Sequence, residues 1–301
     1  MSTALHQSNP SHHKAALRLA RLACEALIAE AELTPKPGLV DRRGPGSHAD
    51  LSLHLMRLSA HTLEPFFYEI ALTSSTLQPT QLLRAKLGKI GRRAEASMLK
   101  ATNGSNTHRG AIWNLGLFTS AASLVPITSA STIAGLAQQL ALIPDHQIHE
   151  ASHGDLVSAR YNVTGARGEA QSGFPHILNS ALPTLRKQRL AGIPESAVRI
   201  DALLSIMATL QDTCILYRRG PSALQAVQQL SQSLLTAGGC STLEGQHQLR
   251  QLDQLATNLH ISPGGAADLL ACTLFLDALD RGADSIAPDT SDPTGGLHGA
   301  A

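Results

Sequence analysis

The chain has 301 residues, 43% of them hydrophobic and only 3% aromatic, which is enough apolar material for a substantial core. Its formal charge of +1 excludes the broad basic field of a non-specific nucleic-acid binder, so any anion site must be built locally. Leu and Ala outnumber the β-branched and aromatic residues that favour strands, and composition alone points to an all-α fold: a compact multi-helix bundle with a central cleft.

Residues 1–11 read as a frayed, disordered N-terminus and 284–301, rich in Asp, Pro, Gly and Thr, as a disordered tail, leaving 12–283 as a single all-helical domain. The first apolar segment carries Arg18, Arg21 and Glu25, which suits an amphipathic helix and not a signal core, and no run is long enough for a membrane span. Cys24, Cys214, Cys240 and Cys272 are far apart and form no C-x-x-C pair, so the expected compartment is the reducing cytoplasm.

In chain order, Ala16, Leu19, Ala20, Ala23, Leu27 and Ala31 give 12–32 helical periodicity. Residues 34–46 contain Pro35, Pro37, Gly38, Gly44, Pro45 and Gly46 and cannot continue that helix. A second helix is expected over 47–73, bent near Pro65, and a third over 81–101, where Leu83, Leu87, Ile90, Ala94 and Met98 form one stripe. After a polar turn at 103–110, the run 111–124 is nearly apolar and hence expected to be a buried helix. A helix follows at 128–142, whereas 146–173, broken by four glycines, stays ambiguous. Further helices are expected over 174–190, 195–217, 222–237, 242–259 and 263–279, the last N-capped by Ser262 with Pro263 at its first position.

Six stretches concentrate chemistry-bearing side chains. The first places Glu32, Lys36, Asp41, His48 and Asp50 on one rigid loop region, where carboxylates can hold Mg²⁺ or take a hydroxyl proton and a lysine can meet phosphate; the plain alternative is a solvated loop. The second runs from Gly91 through Arg92, Arg93 and Glu95 to Asn103, Thr107, His108, Arg109 and Gly110, a polar turn at a helix start that favours an anion; it also reads as a capped turn with an ordinary Arg–Glu pair. The third, His149–Glu150–x–x–His153, matches a zinc-hydrolase signature but lacks a third histidine at the expected spacing and is followed by Gly154. The fourth sets Arg167 and Glu169 between glycines, as a clamp for phosphate or a ribose hydroxyl or as a surface ion pair. The fifth holds Asp212 in an otherwise apolar stretch, with Cys214, Arg218 and Arg219 close by. The sixth joins Gly264 and Gly265, a helix start with open N–H groups, to Asp268; capping and close helix packing explain it equally.

Taken together, residues 32–41 (E-L-T-P-K-P-G-L-V-D), 46–50, 91–95, 103–110, 167–175, 212–220 and 262–268 resemble the triphosphoribosyl-dephospho-CoA synthase family, which serves citrate lyase and malonate decarboxylase. The match runs in order over most of the chain and departs from the family pattern at Cys214 and Arg219; the Asp–Thr–Cys form leans toward the malonate decarboxylase branch. The resemblance implies a cytoplasmic pentosyltransferase that moves the triphosphoribosyl group of ATP onto the 2′-hydroxyl of 3′-dephospho-CoA and releases adenine. Its product would pass to an acyl-carrier protein and that protein's prosthetic-group transferase, with no nucleic-acid or membrane partner and with a homodimer left open. Glu32, Asp41, His48, Asp50 and Glu95 are then expected in catalysis, with Mg²⁺ on Asp41, Asp50 and Glu95. Lys36, Asn103, Thr107, His108, Arg109, Gly110, Arg167, Glu169, Asp212, Arg218, Gly264, Gly265 and Asp268 are expected around the nucleotide and its phosphates. The rivals are a zinc hydrolase built on His149, Glu150 and His153, and a non-catalytic helical scaffold for a carrier protein.

Overall fold

The computed structural model describes residues 10–125, 129–145 and 153–286. Among them are twelve α-helices, one π-helical turn and no strand. The helices are α1 (Pro10–Glu32), α2 (Leu53–Ser74), α3 (Gln81–Ala101), α4 (Arg109–Leu124), α5 (Ala130–Leu142), α6 (His153–Tyr161), α7 (Gly165–Gln171), α8 (Leu182–Leu190), α9 (Glu195–Met207), α10 (Thr213–Thr236), α11 (Leu243–Asn258) and α12 (Gly264–Asp280), with the π turn at Ile177–Ala181. No described helix is long and apolar enough to cross a membrane.

The burial pattern follows the sequence periodicity. In α3, Leu83, Leu87, Ile90, Ala94 and Met98 are all buried, as their stripe requires. The helices α4 and α12 are apolar on nearly every side and pack against each other at the centre, with α1 and α2 beside them. One continuous hydrophobic core links α1 through α12, and a small satellite around Val40, Leu51 and Met56 lies under the loop 33–52.

Four sequence expectations are corrected. The loop before α2 runs on to Ser52, whose hydroxyl accepts the Leu55 N–H and starts the helix there. The helix expected over 195–217 ends at Met207, and a new one starts at Thr213 because Asp212 caps it. The break expected between 217 and 222 is present: Gly220 takes φ 74°, ψ −169°, outside the helical region and open to glycine, so α10 is two helical segments that meet at a kink before Pro221. The last helix begins at Gly264 with Pro263 in the cap position, since Pro263 adopts ψ 61°, outside the helical region, and no Ser262 side-chain cap forms. Residues 284–286, assigned to the disordered tail, are tied to α1: Arg18 binds Asp284 at 3.1 Å and the Ile286 N–H donates to Glu25 at 2.8 Å. The remainder of the two expected disordered ends, 1–9 and 287–301, lies outside the described residues, as do His149 and Glu150 of the zinc-like motif.

Candidate active site

The loop 33–52 closes over the end of α1 around one buried carboxylate. Asp41 accepts the Lys36 backbone N–H at 2.9 Å and the Arg43 N–H at 2.8 Å, and the Arg43 guanidinium closes on both oxygens before reaching Asp253 of α11 at 2.8 Å. Asp41 therefore organises the loop. Lys36, expected to meet phosphate, is 1% exposed; its ammonium is paired with the Glu30 carboxylate and donates to the Glu30 carbonyl at 2.5 Å. An ammonium enclosed with its own counter-ion is not a free point charge for a ligand, which corrects that expectation. Glu30, the partner, escaped notice because it sits inside the periodic run of α1. Glu32 is held by Arg42 at 3.0 Å and by Arg57 at 2.6 Å.

Beyond this pair, the first turn of α12 meets those of α4 and α10. Asp212 joins two of them: its Oδ1 accepts the N–H groups of Cys214 (2.8 Å) and Ile215 (3.4 Å), and its Oδ2 accepts that of Ala266 (3.1 Å). The N–H groups after Gly264 are thus used internally and are not open to an anion, and Asp212 is a double cap instead of a contact for ribose. The absence of a side chain at Gly265 lets the carboxylate approach, since a Cβ there would lie 3.1 Å from Asp212 Oδ2.

Asp268 projects from α12 against the start of α4. It accepts the Ala111 N–H, and a Cβ at Gly110 would collide with its Oδ2, so Gly110 is the residue that permits this contact. The side chain keeps part of its surface open. Desolvation, then the neighbouring Glu30 and Asp212, push its pKa well above the usual carboxylate range. Cys214 is exposed as a residue but tucks its Sγ against α12, 3.1 Å from where a Gly264 Cβ would stand; desolvation of the sulfur and the two aspartates raise its pKa and hold it as a thiol. Deeper in, His108 shares Nδ1 with Ser59 at 2.7 Å, and Thr107 donates its hydroxyl to the same serine at 2.7 Å. Burial, followed by the Lys36 charge, lowers His108 to about 3, so its imidazole is neutral at physiological pH. Asn114, one turn beyond Gly110, is buried with Oδ1 unpartnered among the described residues; the sequence reading did not single it out, because it sits in a nearly apolar run.

Arg109 is ion-paired with Glu95, and its N–H donates to Asn106 at 3.1 Å. Asn103, at φ 53°, and Gly104 make the tight turn before α4, where Asn103 is exposed. Arg218 lies 3.3 Å from His48, which is 3.8 Å from the exposed Asp50; burial and then Arg218 lower His48 to about 4. Asp41, Asp50 and Glu95 do not form the expected metal set: among the described residues, the only three such groups with ligand atoms within 4.8 Å of one another are Cys24, His61 and Glu64, on α1 and α2. Glu169 is also committed elsewhere, accepting the His176 N–H at 3.0 Å and meeting its Nδ1 at 2.7 Å, which raises His176.

Two arginines of α3 gather beside α4. Arg84 and Arg92 both reach Asp145 Oδ2, at 3.4 and 2.8 Å, and Arg84 lies over the Trp113 ring of α4, 5.1 Å from its centroid. Burial lowers the Arg84 pKa against the pull of Asp145, and the charges of Arg92 and Arg167 add repulsion; Arg167 itself is exposed on α7, which packs on α4. Arg84 was hidden in the sequence by its place in an amphipathic helix.

The all-helical frame thus sets carboxyls where the starts of α4, α10 and α12 meet and arginines along α3. The family model for ATP:dephospho-CoA triphosphoribosyl transferase matches residues 16–286, and the chain belongs to that family. It is 50% identical over 275 residues to a Pseudomonas putida protein called probable 2-(5''-triphosphoribosyl)-3'-dephosphocoenzyme-A synthase, covering 91% of this chain and 98% of the relative. Relatives of the same name from Pseudomonas fluorescens (52% over 268 residues, 88% and 92% covered) and Stutzerimonas stutzeri (49% over 288, 95% and 98%) are similar throughout. No solved structure matches.

Proposed function

We propose that the chain transfers the 5-triphosphoribosyl group of ATP to the 2′-hydroxyl of 3′-dephospho-CoA, with residues 12–283 acting as one catalytic domain. The hydroxyl oxygen attacks C1′ of the ATP ribose, the bond from C1′ to N9 breaks, and adenine leaves with that electron pair and takes up a proton. The hydroxyl gives up its own proton to a base. This is a single displacement with inversion and an oxocarbenium-like transition state, by analogy with glycosidases.

The observation that carries the reading is Asp268 against Gly110: a largely enclosed carboxylate lifted above its usual range is a stronger base toward a hydroxyl proton than an ordinary one. Of the acids expected as bases, Glu32, Asp41 and Glu95 are occupied by arginines, and Asp50 stands in solvent. Because the three acids expected to hold magnesium do not gather, the residues present do not fit a protein cage for it, and no step is derived through it. The Asp212–Thr213–Cys214 form supports the malonate decarboxylase branch, with its acyl-carrier protein as eventual recipient, and four free thiols suit the cytoplasm.

Incubation with ATP, dephospho-CoA and Mg²⁺ followed by chromatography tests the reaction. Free adenine should appear in equal amount with triphosphoribosylated dephospho-CoA, and only when both substrates are present. ADP or AMP in place of adenine would contradict it.

A further inference from the structure

We propose that Arg84, Arg92 and Arg167, with the Trp113 indole beneath Arg84, bind the triphosphate chain of ATP. The inference rests on the transferase reading for the identity of the anion, and on the cluster itself for the site. Of the expected phosphate contacts, Lys36 is enclosed with Glu30 and Arg109 is paired with Glu95. On α3, by contrast, two guanidinia share the single Asp145 carboxylate, and α7, which carries the exposed Arg167, packs on the same helix as Trp113.

The donors point the same way. Arg84 is 6% exposed, yet its Nε has no hydrogen-bond partner among the described residues, and the same holds for Arg92 Nη2 and the buried Trp113 Nε1. Buried donors left unpaired carry a desolvation cost that phosphate oxygens would relieve, and guanidinium forks match phosphate geometry. Gly88 keeps the strip between the two arginines free of a side chain, since a Cβ there would run into the Asp145 carboxylate and Arg84. The row also leads somewhere. Residue 95, less than a turn beyond Arg92, holds Arg109, and the next residue, Gly110, touches Asp268. Phosphates laid along Arg84 and Arg92 would direct the attached ribose toward the proposed base.

Calorimetric titration of the full chain with inorganic tripolyphosphate, ATP and adenosine tests this, in wild type and in Arg92→Gln, Arg167→Gln and Arg84→Gln. Both exposed-side variants, Arg92→Gln and Arg167→Gln, should keep their thermal unfolding and lose about tenfold or more in affinity for tripolyphosphate and ATP, the scale of one charge-assisted contact, with adenosine binding unchanged. Should Arg84→Gln fail to fold, those two decide. Undiminished tripolyphosphate binding in folded Arg92→Gln and Arg167→Gln, or none in wild type, would overturn the site. Arginine-dependent tripolyphosphate binding without adenine release would overturn the reaction and leave the site standing. Normal adenine release with arginine-independent binding would do the reverse.

Discussion

Lys36 and Glu30 show what a sequence conveys at the scale of one residue and what it withholds. The T-P-K-P-G stretch announces itself by its prolines and glycine, and its weight in the fold was legible. Its chemistry was not, because a lysine's reach into solvent or core depends on how the loop 33–52 folds back over α1. Here it folds inward, the two charges are 1% and 3% exposed, and the pair becomes internal structure. Removing one partner strands the other in a low-dielectric setting. Lys36→Met should therefore cost about 3–5 kcal/mol in urea unfolding, and Lys36→Met with Glu30→Leu should recover most of it. A single variant within about 0.5 kcal/mol of wild type would show that the pair contributes little.

Among elements, periodicity carried most of the fold. The stripe of α3 and the apolar runs of α4 and α12 mark buried helices without reference to tertiary structure. The failures share a cause: they lie where one side chain outweighs local propensity. Apolar residues on both sides of 208–212 hid the break that Asp212 enforces, whereas Gly220 beside Pro221 marked a break that the backbone does make. Asp212 also explains why the Gly264–Gly265 start is not an open anion site, since the carboxylate already satisfies an N–H of that turn. Each capped helix end contributes about 0.5–2 kcal/mol, so Asp212→Ala, which uncaps two, should cost about 1–4 kcal/mol by denaturant unfolding. A loss below about 0.5 kcal/mol would mean that the α10 and α12 starts hold without it.

Across the whole molecule, residues far apart in sequence meet because the start of α12 packs on the starts of α4 and α10. The family motifs were legible in order, but sequence spacing gives no distances. Gly110 and Asp268 are 158 positions apart and in contact, whereas Asp41 is held by Arg43, which bridges it to Asp253, and does not join Asp50 and Glu95 in one ligand set. The contact keeps an acidic group in a costly setting. With its folded pKa raised, ionised Asp268 opposes folding at pH above the ordinary carboxylate range, so replacing it with a neutral isostere should not destabilise the protein. The direct test is the rate of adenine release by Asp268→Asn, measured beside its thermal unfolding at neutral pH. A fall of about 10²–10⁴-fold with stability kept or raised is predicted, as expected for the loss of a general base. Adenine release near the wild-type rate from the folded variant would contradict the account.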